Sequence, residues 1–447
     1  MIGVSRTFHG LPARRAPAPS QRAGVRLAAP PCMRLTSLSV AVLCACSSNP
    51  SEPDVLAARE LPAAVKDDAA AIALANNQFA FDLYALLAPD HDNLFMSPFS
   101  ISTALAMVDA GAAGTTDQEL RRTLRFTVPG DRMHSAYGAL LDSLDVGRGF
   151  GTYTLATANR LFGQTGLPFV PDFLTITRRD YGAELQQVDF ERDPEAARAT
   201  VNAWVADNTD GKIEELFTSG AFDMTTRLVL ANAIVFKGAW ANHFDTSLTT
   251  DGAFQLSDGR TIRTPMMHKR DVIATTSIPG GRLGVLPFRG KDLSMLVLLP
   301  DRPDGLPTLE AQFTGDAIAP LIARVRGLQV PSNAEEVDVA LPRFSITSGF
   351  ELPDLLAKLG MVSAFDPDAA DFSGIDGKRD LYIQRVVHKA TITVDENGAE
   401  AAAATGVGVG TTSTPQPFVA DRPFLFAIYD HVSESILFLG RVVNPSA

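Results

Sequence analysis

Glu396-Asn-Gly398-Ala-Glu400-Ala-Ala-Ala-Ala-Thr405-Gly-Val-Gly-Val-Gly410-Thr-Thr-Ser-Thr-Pro415-Gln-Pro417 looks like a low-complexity linker. Gly398 to Thr412 hold five Ala, four Gly, two Val, three Thr and one Glu, yet the order has period two. Ala399, Ala401, Ala403, Thr405, Val407, Val409 and Thr411 share one face. Glu400, Ala402, Ala404, Gly406, Gly408 and Gly410 share the other. A linker needs no alternation. A face that is first small and then β-branched, backed by a nearly featureless one, encodes a strand able to slot between close neighbours. The glycines weaken it as a free strand, and Pro415 and Pro417 stop the pattern.

The 447 residues around this segment are 46% hydrophobic and 20% charged, enough to close a large core. Net charge is −12. Six arginines (Arg6, Arg14, Arg15, Arg22, Arg26, Arg34) and no acid lie in residues 1–46. That leaves 33 cations against 51 anions, a balance of −18, on residues 47–447. A body that acidic repels phosphate backbones and anionic membranes, so nucleic acid is not an expected partner. Cys32, Cys44 and Cys46 are the three cysteines. The body therefore offers no thiolate nucleophile, disulfide or Cys-ligated zinc.

From Met33, the expected true start, the chain reads MRLTSLSVAVLCAC: one Arg, then the apolar run Leu35 to Ala45. Eleven residues are too few for a bilayer span of about 20 but suit a signal-peptide core. Leu43-Cys44-Ala45-Cys46 resembles a bacterial lipoprotein box with Cys46 acylated, although Cys44 stands where Ala or Ser is usual. A plain secretory cut and a transit peptide are the alternatives. The expectation is an exported chain, anchored by lipid at Cys46 or freely secreted. Residues 1–46 form the leader, 47–66 a tether and 67–447 the folded domain.

Helical spacing or capping predicts helices over Asp67–Ala88, from Ser97-Pro98 to Gly111, and over Asp117–Leu124, Met133–Leu144, Pro171–Tyr181, Pro194–Thr209 and Phe350–Leu359. Strands are expected at Thr154–Phe162, Arg227–Phe236, Leu293–Leu299, Glu336–Leu341, Tyr382–Val394, Phe424–Tyr429 and Ile436–Arg441. Helices lead and strands follow, which argues an α+β fold.

These residues resemble the serpins over essentially all of 67–445. Asn93-Leu-Phe-Met-Ser97-Pro98-Phe-Ser100-Ile101 is similar to their opening motif, and Ala231-Asn232-Ala-Ile-Val-Phe-Lys237-Gly238-Ala-Trp240 to their central strand. Val387-His388-Lys389-Ala390, the stretch from Asp395 to Thr405, and Ala420-Asp421-Arg422-Pro423-Phe424 are similar to the hinge and C-terminal signature. The resemblance implies three β-sheets, eight to nine helices and an exposed reactive-centre loop. It implies a suicide inhibitor whose loop, once cut by a serine protease, inserts into the largest sheet with the protease attached.

Sixteen residues on from Glu396, and ten back from Pro423, the family pattern puts the reactive bond at Thr412-Ser413, with cleavage at Thr411 or Val409 as the alternative. A small residue at the cut suits an elastase- or subtilisin-like pocket rather than a trypsin-like one. Glu396, Gly398, Ala399, Glu400, Ala401, Ala402, Ala403, Ala404 and Thr405 would form the hinge. Arg343 would pair with Glu396 near Trp240, where insertion begins. Ser97, Ser100, Asn232 and His388 would be the buried shutter that re-pairs as the strands part. Ordinary readings stand beside these: a helix cap for Ser97, a structural histidine for His388, a surface pair for Arg343.

An enzyme is not expected, since no G-x-S-x-G elbow, HExxH pair or Walker loop occurs. Gly406-Val-Gly408-Val-Gly410 mimics a phosphate loop, but prolines follow where a helix should. No cofactor or metal is implied. A non-inhibitory serpin acting as substrate, carrier or binding protein is the alternative. Asp131 to Leu144 carries only Arg132 as a fixed cation, so no heparin-type activator is expected, and the protein is read as a monomer.

Overall fold

The apolar run Leu228–Ala239 is the central strand, and its two faces set the layering. Leu228, Leu230, Ile234 and Phe236 enter the main core. Val229, Ala231, Ala233 and Val235 enter a second cluster with Ala197, Val201 and Val205 of the helix Pro194–Asn208. A strand covered on both faces reads as a continuous hydrophobic run. Asn232 falls in the core-facing series and is fully buried.

The structure, a computed structural model, describes residues 61–149, 153–328, 336–399 and 417–447, all within one compact unit, Val55–Ala447. Thr412, Ser413, the hinge residues Glu400 to Thr405 and Cys46 lie outside the described residues. The main sheet runs in the order Phe344–Glu351, Arg385–Val394, Gly398–Ala399, Leu228–Ala239, Tyr153–Gln164, Gln186–Val188. A second six-stranded sheet contains the hairpin Phe424–Asp430 and Ser435–Val442, buried throughout except at Arg441. A third, of four strands, contains Phe418–Val419, Val337–Pro342, Thr261–Asp271 and Thr250–Gln255.

Ten α-helices occur among the described residues, three of them (Leu306–Glu310, Pro353–Lys358, Ser373–Asp376) of six residues or fewer. Lys66–Leu87, Pro98–Asp109, Pro171–Tyr181 and Pro194–Asn208 lie where helical spacing puts them. One expectation is corrected. Phe350 and Glu351 end a strand, Phe344–Glu351, whose burial alternates residue by residue, and the helix begins only at Pro353. Pro353 supplies its tolerated first position.

Candidate functional site

The return strand Arg385–Val394 ends in a tight turn. The Asp395 carboxylate accepts from the backbone N–H of Asn397 (2.8 Å) and Gly398 (3.3 Å), and Asp395 N–H donates to Gly398 O (2.9 Å). The chain then doubles back. Gly398 and Ala399 pair antiparallel with Ala239 and Gly238 on one side, and Ala399 with Val394 on the other. Only glycine fits at 398: φ is +151°, and a Cβ would stand 2.0 Å from Gly238 O.

The turn rests on an aromatic floor. Trp240 donates its N–H to Asn397 O and its indole Nε1–H to Asp395 O, both at 2.9 Å, and Phe244 N–H donates to Glu396 O at 3.0 Å. Trp240 is stacked on Phe288 with centroids 4.8 Å apart. Glu396 is 2% exposed. Arg343 Nε donates to both its oxygens at 2.8 and 2.9 Å, and Thr249 Oγ1 donates to Oε1. Burial alone would raise this carboxyl; Arg343 and Thr249 hold it below the ordinary range. Thr249 had no signal in the sequence beyond being one of many threonines.

Below Ala399, among the described residues, the two neighbouring strands meet each other. Arg385 to Thr391 pair directly and in parallel with Val229 to Val235, and at the centre of this ladder His388 faces Asn232. Ser97 N–H donates to His388 Nε2 at 3.0 Å, so Nδ1 carries the proton and donates to Asn232 Oδ1. Asn232 Nδ2 donates to Ser100 O (2.8 Å) and Asn159 Oδ1 (2.7 Å), and Ser100 Oγ donates to Asn159 Oδ1 (3.0 Å). Burial pushes the His388 pKa down to about 3. Ser97 is also the expected helix cap, its Oγ accepting from Ser100 N–H at 3.1 Å.

A family model described as Serpin (serine protease inhibitor) matches residues 74–445. The chain belongs to the serpin family. As such it is an inhibitor and not an enzyme. It is 42% identical over 386 residues to a protein named leukocyte elastase inhibitor from Bos taurus, covering 84% of this chain and 99% of that one. Among solved structures it is similar to Serpin48 of the insect Tenebrio molitor, described as a highly specific serpin (TM-score 0.74, 33% identity, 83% and 98% covered). It is also similar to an Arabidopsis serpin in its native stressed conformation (TM-score 0.73, 28% identity, 85% and 99% covered).

Of the expected site residues within the described chain, Arg343, Glu396, Trp240, Gly398 and Ala399 converge at the top of the serpin's main sheet, and Ser97, Ser100, Asn232 and His388 at its centre. Asn159 is the member that motif reading missed; it sits on the neighbouring strand opposite Asn232. Asn159→Ala would leave the Ser100 hydroxyl without its acceptor and remove one of the three oxygens around the Asn232 amide. Because the residue is only half-buried, water limits the expected loss to about 1–2 kcal/mol, read by urea denaturation. An unchanged midpoint would remove Asn159 from the network.

Proposed function

We propose that this serpin traps elastase-like serine proteases by suicide inhibition, with cleavage at Thr412-Ser413 followed by insertion of Glu400 to Thr411 into the main sheet. The observation that carries the reading is the half-made slot: Gly398 and Ala399 already lie between the two strands, while the seven residue pairs below, Arg385–Thr391 with Val229–Val235, are still closed on each other. Insertion replaces that single ladder by two, so the uncut form stores energy that only a free strand end releases. The elastase assignment draws on the names of the relatives and on the small residues Thr411 and Thr412. In this reading Glu396 and Arg343 mark the hinge anchor, and the His388 network is the shutter.

The leader reading is proposed on the sequence alone, since the family match begins at residue 74. Residues 1–46 direct export, Cys46 carries the lipid of a bacterial envelope lipoprotein, 47–66 tether the inhibitor, and it acts as a monomer. Arg132, the cation of the helix expected to lack heparin affinity, is engaged with Asp68.

Mixing the full chain with pancreatic elastase is the direct test. The expected product is an SDS-stable adduct of the two. About ten new backbone hydrogen bonds at ~1 kcal/mol each would raise the melting temperature of the cut form by on the order of 10 °C. A clipped chain with neither adduct nor gain in melting temperature would overturn inhibition.

A further inference from the structure

Beneath the hinge turn, the segment Trp240–Phe244 is gripped from a different sheet. Lys269 and Asp271, on the strand Thr261–Asp271, are buried side by side, with Nζ 2.8 Å from Oδ2 and side chains 5% and 6% exposed. Both reach the same residue. Lys269 Nζ donates to Asn242 O at 2.8 Å, and Asn242 Nδ2 donates to Asp271 Oδ1 at 2.8 Å. The ammonium also lies 4.6 Å from the centre of the Phe244 ring and 5.8 Å from that of Trp240. Burial lowers the Lys269 pKa while Asp271 draws it back, so the charge is held at a cost.

A buried ion pair is a poor source of net stability, because well-packed apolar side chains of similar size often serve as well. What this pair supplies is direction. Met and Leu could fill the space but could not bond Asn242 at both its carbonyl and its amide. The residues so held, Trp240 and Phe244, are the ones whose three N–H groups carry the carbonyls of Asp395, Glu396 and Asn397.

We propose that Lys269 is a positioning residue for loop insertion: with Asp271 it fixes Trp240–Phe244 as the pivot on which the hinge folds into the sheet, and so sets the fraction of protease trapped rather than released. After the cut, insertion races hydrolysis of the acyl-enzyme, and a small misplacement of a positioned group slows its step steeply. This rests on the insertion reading above.

The test is the stoichiometry of inhibition with pancreatic elastase for wild type, Lys269→Met, Lys269→Arg and the double variant Lys269→Met/Asp271→Leu, which keeps an apolar filling should the single change fail to fold. Wild type should trap near one to one. The Met-containing variants should need about threefold to tenfold more inhibitor per protease, with the excess recovered as clipped chain, and Lys269→Arg should stay near wild type. Unchanged stoichiometry in a folded double variant overturns the proposal. So does an equal fall in melting temperature of intact and clipped forms with no change in trapping, which would assign the pair to the fold alone. A wild type that is only clipped would overturn the inhibitory reading itself, and the inference with it.

Discussion

Ala401→Arg is expected to convert the protein from inhibitor to substrate without slowing its cleavage. The argument is one of register. Gly398 pairs with Ala239, and Ala399 with Gly238 and Val394. Continued downward, the same antiparallel register sets Ala401 level with Phe236 and Ile392, both buried, and Glu400 level with Lys237 and Thr393 on the outer face. An arginine at 401 would therefore enter the core unpaired. Even with its stem snorkelling, a cost of about 3 kcal/mol is a conservative figure for an uncompensated buried charge. That slows insertion about 100-fold, and acyl-enzyme hydrolysis wins the race. The measurement is inhibitor consumed per protease trapped, expected to rise more than tenfold, with Glu400→Gln as a control that stays near wild type. Equal stoichiometry for Ala401→Arg and wild type would show that the register is wrong.

The period-two pattern behind that expected register is legible in the sequence because it is local. Alternation from Ala399 to Thr411 survives a composition that otherwise looks like a linker, and Ala399 is buried on the face the pattern assigns it. The central strand was equally plain, being apolar on both faces from Leu228 to Phe236 apart from Asn232. The shutter is a different matter. Ser97 and His388 are 291 residues apart, and no periodicity brings them together; only the motifs shared with serpins did. Asn159, Thr249 and the Lys269–Asp271 pair carry no motif, and only the fold brings them to the site. The strands between Thr250 and Pro287 also went unread. Thr250–Gln255 contains Asp251 and Gly252 and is largely exposed, so neither β-propensity nor burial marks it, and its pairing with Thr261–Asp271 provides the order that its own residues do not. At Phe350 the opposite error arises: a helix expected by spacing gives way to a strand because Ile346, Ser348 and Phe350 alternate with exposed partners up to Glu351.

Acidification should loosen the closed sheet, and His388 should account for most of the effect. Its ring bridges the two strands that must separate, accepting from Ser97 at Nε2 and donating to Asn232 from Nδ1. A second proton has no acceptor there, and burial pushes the pKa down to about 3. In an opened sheet the ring meets water and regains an ordinary pKa near 6.5. The folded state thus binds fewer protons than the opened one between these values. The stability due to neutral His388 is complete above about pH 6.5 and is lost as pH falls towards 3, at up to about 1.4 kcal/mol per pH unit. At pH 5 the difference is about 2 kcal/mol, so spontaneous opening should run up to ~30-fold faster than at pH 7. Other groups titrate alongside. Burial pushes His134 down to about 4, with the same sign, and pushes Asp109 up to about 7, with the opposite one. Both are unchanged in His388→Gln, whose amide can accept from Ser97 and donate to Asn232 without titrating. The rate at which intact protein loses inhibitory activity, compared at pH 7 and pH 5, should accelerate steeply in wild type and far less in His388→Gln. The same ratio in both would mean that the strands part without exposing this histidine, and that the polar network at the centre of the sheet is not what holds it shut.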